Sequence, residues 1–272
     1  LSPLMQMTIA KELGIDFVYS AFHIEESLEE AIKGAYALGI SGLNITIPFK
    51  QEVISHLLEL SDEAKIIGAV NTLLRVNGGY KGYNTDVYGI KKALEKADIN
   101  IKKKDIVLLG AGGAAKAVLY VCAKEGVESI SLISRDINKA KVLSESVKAG
   151  FPDIKLNFIR LSELDDKNSI SEYLPKNDYI AFQASPVGMH PNVDKAIIES
   201  KAFYDKCEAG MDLVYNPDKT KFMQYFSDDN KKVTNGLDML IYQGIRAFEL
   251  WNGIEVEEEI VFKLRQLLML DK

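Results

Sequence analysis

Polar and apolar positions alternate along the second half of this chain in blocks. Asp105–Leu109, 129–133, 156–159 and 179–182 are short apolar runs, and 114–124 and 138–149 between them have helical spacing. Alternation of strand and helix predicts a parallel sheet covered by helices on both faces. A further strand is expected at 209–215, ending at Asn216-Pro217, and 237–270 reads as two helices broken at Asn252-Gly253. The first half is more irregular. Helical patterns cover 8–13 and 27–38, and 17–22 alternates as a strand does. In 42–48, Leu43, Ile45 and Ile47 alternate with Asn44 and Thr46, and Pro48 ends the strand. Helical segments at 51–59 and 62–67 precede two runs, 69–76 and 79–83, that form a hairpin around Asn77-Gly78. Asp86 then stands at the N-cap of a helix over 87–96. There is no internal repeat and no low-complexity segment.

Composition narrows the class. With 272 residues, 47% of them hydrophobic, the chain has material for two modest domains. Its 33 basic and 39 acidic residues are intermixed, giving a net charge of -6, so there is no basic stripe to bind a phosphate backbone and nucleic acid is excluded as the main ligand. No apolar run reaches the ~20 residues that span a bilayer, which argues against a membrane protein. Cys122 and Cys207 are too few for a disulfide framework and point to a reducing compartment, the cytoplasm. His23, His56 and His190 lack metal-ligand spacing, so no metal is expected. The opening Leu1-Ser2-Pro3 implies further sequence ahead of it.

Candidate chemistry gathers at strand ends. Asn44-Ile-Thr46-Ile-Pro-Phe-Lys50 and Asn84-Thr85-Asp86 close or follow a predicted strand, the end at which open α/β sheets bind ligands, and Asn71-Thr72 lies near the start of the 69–76 run. Alone, Lys50 reads equally as an exposed lysine, Asp86 as a helix cap, and Asn71 and Asn84 as turn residues. Together they offer a cation and a carboxylate able to move a proton. Gly110-Ala111-Gly112-Gly113-Ala114-Ala115 sits between a strand and a helix and matches a dinucleotide fingerprint with Ala in third place. Gly112 and Gly113 let the backbone approach a pyrophosphate, and the following helix presents unpaired amides. At the end of the second strand, Ser134-Arg135-Asp136 follows. Arg135 suits a 2′-phosphate, whereas Asp136 repels one if turned inward, so NADP is favoured and NAD stays open.

The ordered motifs resemble those of the shikimate dehydrogenase family over nearly the whole chain. They are Ser2-Pro3, Gly42 to Lys50, Gly68-Ala-Val-Asn-Thr72, Asn84-Thr-Asp86, Leu109 to Ala115, Gly188-Met189, Asp212-Leu-Val-Tyr-Asn-Pro217, Thr220 and Gly236 to Gln243. The resemblance implies an α/β protein of two domains facing across a cleft. Residues 1–86 and 237–272 would form the substrate domain, with the C-terminal helices returning to it, and 87–236 a Rossmann-like, doubly wound parallel-sheet domain. It implies reversible reduction of 3-dehydroshikimate to shikimate with NADPH, a step of chorismate and aromatic amino acid biosynthesis. Lys50 and Asp86 would be catalytic. Ser2, Thr46, Asn71, Tyr215 and Gln243 would hold the substrate. Gly110, Ala111, Gly112, Gly113, Ala114, Ser134, Arg135, Gly236 and Met239 would hold the cofactor. A small-molecule enzyme, monomeric or homodimeric, is expected.

Four departures from the family pattern stand out. The usual Ser-x-Ser-Pro loop begins before Leu1, so only its second Ser, Ser2, is visible; Met5-Gln6-Met7 replaces Met-His-Asn; Ser134-Arg135-Asp136 replaces Asn-Arg-Thr; and Gln183-Ala-Ser-Pro186 replaces Asn-Ala-Thr-Pro. Two rival readings remain, an NAD-dependent quinate/shikimate dehydrogenase and a non-catalytic nucleotide-binding sensor of the same fold. Retention of both Lys50 and Asp86 argues against the sensor.

Overall fold

A computed structural model describes residues 1–164 and 166–270, the side chain of Leu270 excepted. Two compact units are distinguishable, Leu1–Gly89 with Leu240–Lys272, and Ile90–Met239.

The first unit begins with α1 (Ser2–Glu12), which starts well ahead of the helix expected at 8–13 because Pro3 sits in its first turn, where a missing N–H costs nothing. No strand forms at 17–22: Phe17 and Tyr19 lie against Phe248 and Trp251, while Val18 is 85% exposed. Ser27 accepts the amide of Glu30 and caps α2 (Leu28–Ala37). The strand expected at 42–48 is only β1 (Gly42–Asn44), and Ile47, read as inward, is 81% exposed. The helix expected at 51–59 is a 3-10 turn, Glu52–His56, followed by the two-residue β2 (Glu59–Leu60). Next come α3 (Asp62–Ile67), capped by Ser61, and the hairpin β3 (Thr72–Val76) and β4 (Gly79–Tyr83).

The sheet order is β1-β3-β4-β2, with β1 and β4 antiparallel to β3 and β2 parallel to β4. Leu28 and Ile32 of α2 pack with Val53, Val70, Leu73 and Tyr80 to form its core. The register opposes Asn44 to Thr72 and Thr72 to Tyr83, so β1, β3 and the exit of β4 end side by side. From there the chain enters α4 (Asp86–Lys96).

The second unit follows the predicted alternation. Its elements are β5 (Asp105–Leu109), α5 (Gly113–Glu125), β6 (Ser129–Ser134), α6 (Ile137–Gly150), β7 (Leu156–Arg160), α7 (Lys167–Tyr173), β8 (Tyr179–Gln183), α8 (Lys201–Asp205), β9 (Cys207–Asp212), α9 (Lys221–Asp228) and β10 (Lys232–Thr234). All ladders are parallel and the order is β10-β9-β8-β5-β6-β7, a doubly wound sheet that reverses between β5 and β8. Every residue of β5 and β8 is buried, as expected for strands covered on both faces. The strand expected at 209–215 lies earlier, at β9, because the chain turns at Asp212, whose carboxylate accepts the Val214 amide. The chain ends in α10 (Leu237–Asn252) and α11 (Glu258–Leu270), the two helices with the expected break.

Candidate active site

In the first unit the hairpin register builds a polar network around one carboxylate. Asp86 is the first residue of α4 rather than the expected N-cap, and other side chains take its oxygens. The Lys50 ammonium donates to Oδ2 at 2.8 Å and Asn71 Nδ2 donates to Oδ1 at 2.9 Å. Asn71 Oδ1 in turn accepts from the Thr85 amide at 2.8 Å and from the Thr72 hydroxyl at 3.0 Å. Asn44 donates to the Asn71 carbonyl and the Thr72 hydroxyl, and the Tyr19 hydroxyl donates to Asn44. The Lys50 and Asp86 side chains retain 27% and 11% exposure. The network gives this enclosed carboxylate both a charge partner and a hydrogen-bond donor. It leaves the Lys50 ammonium with N–H groups beyond the one that Asp86 takes, available to a bound oxygen.

The other substrate candidates of this unit fall in three places. Ser2 is at the start of α1, half-buried, and Thr46 is exposed on the turn that leads to Lys50, its carbonyl accepting the Phe49 amide. On α10, Gln243 is half-buried and its Nε2 donates to the Leu240 carbonyl at 2.9 Å, which leaves Oε1 as an acceptor for a ligand hydroxyl. Gln6, where the family pattern has His, is fully buried and donates to the Gly244 carbonyl at 2.9 Å, beside Gln243. Asn84 stays with the turn reading, its amide tying the exit of β4 to the Ala69 carbonyl. Tyr19 was not singled out from sequence, and Thr72 and Thr85 stood in the candidate motifs without a role of their own. The threonines adjoin named asparagines, and only the pairing of strands reveals what they hold.

In the second unit, the glycine turn lies at the switch between β5 and β8. Gly110 has φ +109°, and a Cβ there would lie 2.9 Å from the Ala184 carbonyl oxygen, so only glycine fits between these two strand ends. Gly112 precedes α5 without a side-chain cap, and a Cβ on Gly113 would meet nothing within 4 Å. Gly113 therefore leaves room beside the start of α5, where unpaired helix amides suit a pyrophosphate. Ser134, Arg135 and Asp136 follow at the end of β6. Asp136 caps α6, its Oδ1 accepting the Lys139 amide at 3.1 Å, and Ser134 closes the same turn through the Asp136 backbone. The carboxylate that set Asp136 against a phosphate is thus engaged by its own helix, while Arg135 is exposed. At the end of β8, Gln183 staples the loop by bonding Ser185 and Val187, so the amide chemistry of the family position serves loop structure.

The end of β9 holds a buried acid. Asp212 accepts from the Val214 amide at 2.9 Å and the Thr220 hydroxyl at 2.6 Å, and burial pushes its carboxyl up to about 7. These bonds fix the turn that leads to half-buried Tyr215, and the Gly236 amide donates to the Val214 carbonyl at 3.0 Å. Met239 lies one turn before Gln243 on α10.

A sequence model of the Shikimate dehydrogenase substrate binding domain matches residues 1–73, and one of the Shikimate 5'-dehydrogenase C-terminal domain matches 236–261. A protein of Caldanaerobacter subterraneus subsp. tengcongensis named shikimate dehydrogenase (NADP(+)) is 38% identical over 264 residues, 97% of this chain and 91% of its own length. The chain belongs to the shikimate dehydrogenase family. A solved shikimate dehydrogenase in complex with NADP+ superposes with a TM-score of 0.81 at 38% identity, over 95% of this chain and 88% of that one. A shikimate 5-dehydrogenase of Listeria monocytogenes, in complex with shikimate and NAD, gives a TM-score of 0.86 at 30% identity, over 97% and 91%.

Proposed function

We propose that this protein is an NADP-dependent shikimate dehydrogenase that reversibly reduces 3-dehydroshikimate to shikimate. The observation that carries this reading is the Lys50–Asp86 pair at 2.8 Å, held by Asn71 at the end of a hairpin. NADPH, when bound, supplies the hydride. As negative charge grows on the ketone oxygen, the Lys50 ammonium stabilises it and donates a proton. Asp86 holds the Lys50 ammonium in place and accepts a substrate hydroxyl, and Asn71 fixes the carboxylate that does so. Ser2, Thr46, Asn71, Gln243 and Tyr215 are the further substrate ligands, because a small polyhydroxy acid needs several short, fixed hydrogen bonds to be held in one pose. Gly110, Ala111, Gly112, Gly113 and Ala114 would hold the pyrophosphate, Ser134 and Arg135 the adenosine 2′-phosphate, and Gly236 and Met239 would border the nicotinamide.

The substrate function is assigned to residues 1–86 and 237–272, and the cofactor function to 87–236. Among the described residues no helix is long and apolar enough to cross a membrane, and Cys122 and Cys207 are buried and free. A cytoplasmic enzyme of aromatic amino acid biosynthesis, monomeric or homodimeric, fits these observations.

Steady-state rates with shikimate and quinate, each with NADP+ and NAD+, test the assignment. The highest kcat/KM is expected for shikimate with NADP+, and preference for quinate with NAD+ would overturn it. In the same assay Lys50→Ala should lower kcat by roughly 100-fold or more with NADP+ affinity little changed. An unaltered kcat would remove Lys50 from the chemistry and reopen the sensor reading.

A further inference from the structure

The parallel register of β6 and β7 sets Ser134 opposite Arg160, so the last residues of both strands end together. Arg160 is exposed, and its Nη1 donates to the Arg135 carbonyl at 3.5 Å, which brings its guanidinium to the Ser134–Asp136 turn. One N–H is engaged there, and the remaining donors of the planar fork are available. Neighbouring strands lie about 4.8 Å apart, so the ends of β6 and β7 border one stretch of surface. Among the described residues of this turn and of the turn after β7, Arg135, Arg160 and Lys139 are exposed, and Asp136 and Glu163 are engaged by backbone amides. Asp136 takes the Lys139 amide, and Glu163 takes the Arg160 amide at 2.9 Å. Among the described residues, no carboxylate forms an ion pair with Arg135 or Arg160.

We propose that Arg160, at the end of the neighbouring strand, is a second guanidinium for the cofactor's 2′-phosphate and a determinant of NADP over NAD. The proposal rests on the reading of the β6 turn as the adenosine-ribose site. A phosphate monoester carries close to two negative charges at neutral pH, more than one exposed arginine neutralises. Arg135 and Lys139 share the β6 turn with Asp136, and Arg160 adds a guanidinium from the end of the adjacent strand. Asp136 and Glu163 keep their charge, and each directs one oxygen to a backbone amide.

Calorimetric titration of the full chain separates the contributions. The ligands are adenosine 2′,5′-bisphosphate against AMP, and NADP+ against NAD+. Arg160→Ala should weaken the two 2′-phosphorylated ligands about 10-fold and alter AMP and NAD+ by under about two-fold, with an unchanged melting temperature. Arg160→Lys should restore part of the loss, since a point charge replaces the fork. Unchanged binding of the 2′-phosphorylated ligands, or an equal loss with all four, overturns the proposal. If Arg135→Ala abolishes the preference while Arg160→Ala keeps it, the turn is the phosphate site and Arg160 is no part of it. A wild-type protein that does not distinguish the bisphosphate from AMP removes the reading of the turn itself.

Discussion

Asn71 shows how much one amide can fix. Its nitrogen holds Asp86 and its oxygen collects the Thr85 amide and the Thr72 hydroxyl, so it joins the ends of two strands to the start of α4. The motif marked Asn71 as a substrate residue. Its hold on Asp86 was not legible, because an amide's partners follow from the hairpin register and not from its neighbours in sequence. Asp212 was likewise visible only as part of a motif, and its burial gives it a measurable consequence. Its carboxyl lies at about 7 against an ordinary 3.8, so the folded state retains a proton that the unfolded chain has released. Stability therefore falls as pH rises from about 4 to about 7 and then levels. The exposed acids held below the ordinary range, such as Asp98 beside Lys232 and Glu128 beside Lys155, act in a different window, losing their contribution only as pH falls through their depressed range. Asp212→Asn should thus gain on the wild type between pH 5 and pH 7, by roughly 5 °C in Tm. A difference in Tm that does not vary with pH would show that this carboxyl does not titrate there.

Whole elements were legible where period and length agreed. The strand–turn–helix around Gly110 and the alternation from β5 to β8 appear in sequence because fully buried strands and amphipathic helices differ in length and composition. The segments α7, α8, α9 and β10 were missed; they span 7, 5, 8 and 3 residues, too few for a period to show. Segment 17–22 misled for the opposite reason. Its alternation is real, with Phe17 and Tyr19 packed and Val18 exposed, but the inward residues meet α10 aromatics without forming a ladder. The same helix sets a tight limit on β1. Trp251 donates to the Leu73 carbonyl at 2.8 Å, and a Cβ on Gly42 would overlap its indole ring. Gly42→Ala should destabilise the fold by about 1–3 kcal/mol. Trp251 is the chain's 1 tryptophan, so a shift in its emission should accompany the loss. Unchanged emission and Tm would mean that the ring yields without cost.

At the scale of the molecule, the two units are built differently along the chain. Ile90–Met239 is continuous, whereas the other unit is assembled from Leu1–Gly89 and Leu240–Lys272. The continuous unit has its own buried core, which includes Tyr204, Phe222 and Phe226 beneath the sheet, and a core of its own is what an independent domain needs. A fragment of residues 90–239 should melt cooperatively by circular dichroism. A fragment of residues 1–89 should not, since it lacks the α10 residues that receive Gln6, Phe17 and Leu73. Cooperative melting of 1–89 alone would contradict this account.

This discontinuity also orders events during synthesis. At about 5–20 residues per second, the glycine turn and its sheet can form well before translation is complete. Lys50 and Asp86 meanwhile belong to a segment that waits for α10 and α11 to emerge. The nascent protein would then hold a folded glycine turn and sheet before the Lys50–Asp86 pair is complete.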